Sequence, residues 1–278
     1  MMVRPAGPKI LDNSMLEDQP DVDPKNKAQE NGVKESEQGG SAWLETLRTI
    51  VIAVLIAVGV RTFAYEPFNI PSSSMEPTLL VGDYLFVSKL SYGYSRHSLP
   101  FGLPLFSGRI LFSEPEPGDV AVFAYPGDNK TDYIKRIVGL PGGKIEVRDG
   151  ILYINDVATK RELLTASEVA EIGYENPMGF LYYETLPNGR RHLIREISDS
   201  KPLDTWGPEV VPEGHFFAMG DNRDNSLDSR ADVGYVPFEN LVGRAEVLFF
   251  SHEGSSAWWE FWTWPSTIRF SRIGDAIK

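Results

Sequence analysis

Three segments of the chain carry side chains that could do chemistry. The first is a serine run between prolines, Pro71-Ser72-Ser73-Ser74-Met75-Glu76-Pro77-Thr78. By itself such a run is normally just a loop, and only in the minority of cases a source of a nucleophilic hydroxyl. The second is Lys135, in the apolar stretch Asp132-Tyr-Ile-Lys-Arg-Ile-Val-Gly139 and directly followed by Arg136. Neighbours on a strand point to opposite faces, so one of the two basic side chains is expected to point inward. A buried lysine loses hydration, which lowers its pKa and makes it a usable base near neutral pH. The third is Met219-Gly-Asp-Asn-Arg-Asp-Asn-Ser-Leu-Asp-Ser-Arg230, dense in opposite charges. It reads as a solvated loop, a calcium loop or a set of charge pairs bracing a site. The calcium reading is the weakest, because arginines sit among the ligand positions and the closing Glu of an EF-hand loop is missing.

Other chemistries are excluded or poorly served. The chain has no cysteine, so disulfides, thiol catalysis and zinc-thiolate sites are ruled out. Its four histidines, His97, His192, His215 and His252, are too scattered to pair as metal ligands, and no metal or cofactor is expected. There is no G-x-G-x-x-G, no phosphate-binding loop of the Walker type and no G-x-S-x-G elbow. Ser198-x-x-Lys201 matches a penicillin-binding pattern without its partner motifs. A net charge of −12 argues against a nucleic-acid partner.

The elements that must position these residues follow from patterning. Residues 1–42 are polar, without apolar periodicity, and read as a disordered tail. Ile50–Val60 is an uncharged apolar run, and the wider window 43–65, with Arg48 and Arg61 towards its ends, reads as a transmembrane helix. A buried core helix is one rival reading and a cleaved signal peptide the other, though 42 polar residues in front of the run do not suit the latter. Flanking Lys and Arg do not settle its direction. Residues 66–278 read as a mainly β domain with antiparallel sheets and long connections. Strands are expected at 84–88, 119–125, 144–148, 151–154, 192–197, 215–219 and 246–251, and a helix at 162–172. Asp149-Gly150 signals a type I′ hairpin. Near the C-terminus, WWEFWTW (258–264) reads either as a cover for the β core or as an aromatic patch resting on a bilayer.

Taken together, PSSSMEPTLLVGDYLFVSK (71–89), PGDVAVFAYP (117–126), DYIKRIVGLPGG (132–143) and MGDNRDNSLDSR (219–230), following an N-terminal span, resemble the signature of bacterial type I signal peptidases. These motifs occupy roughly a fifth of the chain, and the region 148–212 corresponds to the part of that family that varies most. The resemblance implies that Ser74 is the nucleophile, Lys135 its general base, Ser72 a hydroxyl donor to the oxyanion and Ser226 a residue holding the lysine. Ser73 stands where the family commonly has Gly, and Pro117 where it commonly has Arg. The resemblance further implies pre-protein substrates bearing signal peptides. It also implies a cytoplasmic tail, a single pass through the bacterial inner membrane and a catalytic domain on the outer, periplasmic face.

The residues are consistent with those roles. Serine needs a base, and without a suitable histidine a desolvated lysine is the main one left. Ser72 and Ser74 share a face if the segment is extended. Fourteen residues from Val60 to Ser74 reach at most about 45–50 Å, which holds the serine near the membrane surface. Other readings are a Ser/Lys protease dedicated to another exported substrate, a self-cleaving repressor and a non-enzymatic membrane-tethered β scaffold.

Overall fold

The computed structural model describes residues 24–99, 106–174, 178–253, 262 and 264–278, with side chains from residue 42 onward. An α-helix, α1, runs from Pro24 to Phe63. It therefore starts before the expected span, with proline at the first turn, where a missing N–H costs nothing. Within it, Ala42–Phe63 is long and apolar enough to cross a bilayer, with a mean hydropathy of 1.9. None of that window is buried, which is what a lipid-facing span requires and a core helix forbids. The helix stops two residues short of the expected end, because Tyr65 already pairs with Ser88 in the first strand.

The remainder is antiparallel β structure. Its main sheet contains β1 (Tyr65–Asn69), β2 (Asp83–Ser88), β3 (Val120–Ala124), β4 (Asp132–Gly139), β12 (His215–Met219), β13 (Val236–Pro237) and β14 (Leu241–Ser251). The strand order is β1-β2-β14-β3-β4-β12-β13, so the last strand of the chain lies between β2 and β3. Register shifts in β14, at Ala245/Val247 and Leu248/Phe250, bend the sheet where it pairs with β2. All five residues of β3 are buried, since the sheet is covered on both faces. Val120 and Val122 pack with Met75, Leu79 and Leu85, while Ala121 and Phe123 pack with Ile137 and Phe216.

Two smaller sheets hold most of the 148–212 region. One comprises β5 (Lys144–Arg148), β6 (Ile151–Ile154), β7 (Val157–Ala158) and β11 (Trp206–Val210); the other comprises β8 (Lys160–Leu163), β9 (Phe180–Thr185) and β10 (Arg191–Glu196). Asp149 and Gly150 adopt φ of 49° and 74°, the two positive values a type I′ turn needs. The helix expected at 162–172 is shorter. Lys160–Leu163 pairs with β9, and α2 spans only Ala166–Glu171. A capping box of Thr165 with Glu168 fixes its start after the strand. A last short helix, α3, covers Trp264–Thr267. Of the tryptophan cluster, Trp258 and Trp259 lie outside the described residues, while Trp262 and Trp264 are exposed.

Candidate active site

Ser74 lies in a single 3-10 turn, Ser73–Met75, between β1 and β2. Apolar burial anchors that turn. Met75, wholly inaccessible, packs among Ile70, Leu79 and Val122. The turn's polar backbone is taken up by the 219–230 segment. Asn222 donates its backbone N–H to the Ser74 carbonyl (3.1 Å) and its side-chain amide to the Ser73 carbonyl (2.9 Å). Asn225 Nδ2 donates to Ser73 Oγ (2.8 Å), so the serine at the position where glycine was expected is held by a specific partner.

Lys135 approaches from β4. Its Nζ lies 2.6 Å from Ser74 Oγ and donates to the Ile134 carbonyl at 3.0 Å. The side chain is 4% exposed. Burial pushes its pKa down to about 8, against the opposing pull of the Asp228 and Asp221 carboxylates. An amine that loses its proton so readily, in contact with a serine hydroxyl, is a competent general base. Ser72 is extended (φ −133°, ψ 155°) and exposed, with its Oγ 3.5 Å from Ser74 Oγ. The two hydroxyls line one cavity, although Ser74 sits in a 3-10 turn and not in the extended segment for which the spacing of two implied a shared face.

Ser226 is placed differently from its implied role. Its Oγ is buried without a hydrogen-bond partner and makes none to Lys135. It packs on Gly220: a Cβ there would stand 2.2 Å from Ser226 Oγ and 2.5 Å from the Ser74 carbonyl oxygen. Glycine at 220 thus allows the loop to close on the nucleophile's backbone. Ser72, Ser74 and Lys135 are brought together, with Ser226 behind them.

The expectation that one of Lys135 and Arg136 points inward is corrected, because both are buried. The strand has a covered face on each side, so Arg136 (1% exposed) needs its own partner. It donates Nε and Nη2 to the two carboxylate oxygens of Asp221 (2.8 and 2.7 Å) and Nη1 to the Gly118 carbonyl. Thr78 Oγ1 adds a hydrogen bond to Asp221. The Arg136 guanidinium holds the Asp221 carboxyl below its ordinary range despite burial. Asp228 accepts from Arg230 and from the Gly220 N–H, and Arg223 forms a buried pair with Glu184. The charges of the third motif therefore brace the loop, as the third of its readings proposed. Sequence reasoning missed Glu184 and His192, whose Nε2 is 3.2 Å from Glu184, because no motif marks their strands.

A cavity of about 700 Å³ opens over the dyad, lined by Phe68, Ile70, Val122, Tyr133, Ile134 and Leu227 among others. β4 pairs with β3 along Asp132–Arg136, whereas β12 meets β4 only from Arg136 onward. Its second edge at 132–135 has no strand partner among the described residues. An unpaired strand edge beside an apolar cleft takes an extended peptide by adding it as a strand. Among the described residues no histidine contacts the serine, and the arrangement is that of a serine hydrolase whose base is an amine.

Comparison with known proteins agrees. A profile of the family described as signal peptidase, peptidase S26, matches residues 43–250. Signal peptidase I of Rickettsia typhi is 40% identical over 245 residues, 81% of this chain and 90% of that protein. The signal peptidase I of Rickettsia prowazekii is 39% identical over the same shares. A crystal structure of a signal peptidase I from Enterococcus faecalis aligns with 29% identity and a TM-score of 0.29, over 48% of this chain and 97% of its own. The chain belongs to the S26 family and is a signal peptidase, a serine peptide hydrolase that removes signal peptides.

Proposed function

We propose that Ser74 and Lys135 are the catalytic dyad of this peptidase, with Ser72 as oxyanion donor. The carrying observation is the 2.6 Å contact between Lys135 Nζ and Ser74 Oγ inside an apolar surround. The substrate's extended segment lies along the open edge of β4, with its small residues before the scissile bond in the cleft. Neutral Lys135 takes the Ser74 proton as Oγ attacks the carbonyl carbon. The oxyanion that forms receives the Ser72 hydroxyl, a donor worth roughly 3–4 kcal/mol in the transition state. Collapse breaks the C–N bond, and the lysine ammonium gives its proton to the leaving amine. The resulting acyl-enzyme ester is then attacked by a water whose proton goes to the Lys135 amine; collapse breaks the ester C–O bond, and the lysine ammonium returns that proton to Ser74 Oγ.

Ser226 supports this chemistry by packing against Gly220 and the nucleophile's turn, rather than by a hydrogen bond to Lys135. The helix α1 anchors the protein in a membrane, and the orientation proposed is N-terminus in the cytoplasm and β domain on the periplasmic face of the inner membrane. Only ten residues separate Phe63 from Ser74, so the nucleophile stays close to the bilayer surface where a signal peptide's apolar segment ends. Mass-spectrometric cleavage mapping on a panel of pre-proteins tests this. Wild type should cut once after each apolar segment and Ser74→Ala not at all; cutting by Ser74→Ala would remove the serine from the mechanism.

A further inference from the structure

Three acidic side chains that catalysis does not use converge beneath the Asp149-Gly150 hairpin. Glu196 at the end of β10, Asp204 in the following turn and Asp224 in the 219–230 loop each bring a carboxylate oxygen within 4.8 Å of the others. Glu196 and Asp204 are each only 1% exposed.

Each carboxylate is half used. Glu196 Oε2 accepts from Arg161 Nη1 (2.6 Å), and Asp204 Oδ2 accepts from the Lys201 N–H. Asp224 Oδ2 accepts from the N–H groups of Ile197 and Ser198 at 2.6 and 2.9 Å. The second oxygen of each, Glu196 Oε1, Asp204 Oδ1 and Asp224 Oδ1, is buried with no hydrogen-bond partner. Buried polar atoms are rarely left so, and three like-charged ones together call for a positive partner. Each nearby arginine already has a carboxylate partner, although Arg223 Nε is itself buried without a hydrogen-bond partner. Arg161 pairs with Glu196 and Asp199, Arg223 with Glu184 and Arg230 with Asp228.

We propose that Glu196, Asp204 and Asp224 form a structural binding site for a hard divalent cation such as Ca²⁺. All three donors are oxygens, the ligand type such ions take. Ca²⁺ holds oxygens 2.3–2.6 Å away, so two ligands on one ion stand at most about 4.6–5.2 Å apart, and three oxygens that all lie within 4.8 Å of one another meet that limit. Glycine at 150 keeps the approach open, since a Cβ there would lie 2.9 Å from Glu196 Oε1.

An ion at this point ties the end of β10 and the turn around Asp204 to the loop whose Asn225 holds Ser73. Its effect is on stability, and it reaches neither Ser74 nor Lys135. The test uses the full chain in detergent, stripped with EDTA and titrated with CaCl2 at pH 7.5 by calorimetry and thermal melting. Saturable one-site heat and a rise in Tm of roughly 5–10 °C at a hundred times Kd are expected. Asp204→Asn keeps an acceptor for the Lys201 N–H and should abolish both, and Glu196→Gln serves the same comparison if Asp204→Asn does not fold. Absence of heat and of a Tm shift in the wild type overturns the proposal. A calcium response kept in the folded variants also overturns it, because the ion then binds elsewhere.

Discussion

Replacing Lys135 separates what it costs the fold from what it gives the reaction. Burial takes its amine from an ordinary 10.5 down to about 8. At pH 7 that raises the neutral fraction from about 0.03% to about 9%, some 300-fold more usable base. The same displacement costs about 3 kcal/mol of folding free energy at neutral pH, at 1.36 kcal/mol per pH unit. The folded chain holds this proton more weakly than the unfolded chain. The unfolded state therefore binds more protons between about pH 8 and 10.5, and stability rises with pH across that window. Lys135→Met, which keeps the apolar stem and removes the charge, should accordingly be inactive yet more stable at pH 7 by up to about 3 kcal/mol, or roughly 6–12 °C in Tm. The gain should fade above pH 10. Lys135→Arg should lose at least about 10³-fold in kcat/KM, because guanidinium cannot release its proton in this range. The assays are kcat/KM against pH on a purified pre-protein and thermal melts of the detergent-solubilised chain at pH 7 and 10. Wild-type kcat/KM should rise through an ionisation near 8. Appreciable turnover by Lys135→Arg, or a Lys135→Met protein less stable than wild type at pH 7, would refute the argument that a desolvated amine is the base.

Four further outcomes are expected. Ser72→Ala should lower kcat about 10²-fold with little change in KM, since an oxyanion donor acts in the transition state; steady-state kinetics on a signal-peptide substrate decides it. Ser226→Ala should be milder, about 10-fold or less by the same kinetics, because its hydroxyl makes no hydrogen bond that alanine would remove. Asp221→Asn leaves Arg136 charged and underpaired in the interior and should destabilise by about 3–5 kcal/mol, read from denaturant midpoints. EDTA should leave kcat unchanged even where it lowers Tm, because the dyad contacts no carboxylate of the Glu196 cluster; a fall in kcat restored by calcium would contradict this.

Legibility in the sequence tracked how local the information was. The VAVFA strand, the Asp149-Gly150 hairpin and the pairing of Lys135 with the serine turn all rest on neighbours or on extended motifs, and the fold keeps them. Arg136 was harder. Strand alternation predicts one buried and one exposed neighbour, and it fails where both faces of a strand are covered. Glu184 escaped notice because this partner of Arg223 lies 39 positions away in a strand with no signature. The helix expected at 162–172 yielded its first residues to pairing with β9, a tertiary preference that local pattern does not contain. The Glu196, Asp204 and Asp224 cluster is assembled by folding from separate turns, so residue spacing did not show it.

The place of β14 in the main sheet has a bearing on when this enzyme exists at all. A chain emerging from the ribosome delivers its apolar helix, its serine turn and Lys135 well before residues 241–251, yet β2 and β3 have no common neighbour until that strand inserts between them. The loop that grips the Ser74 carbonyl also arrives late, from position 220 onward. The main sheet, the frame that carries both Lys135 and the serine turn, is therefore complete only near the end of translation. A chain cut short before β14 is expected to lack activity, and a truncation after Asn240 assayed for pre-protein cleavage checks this.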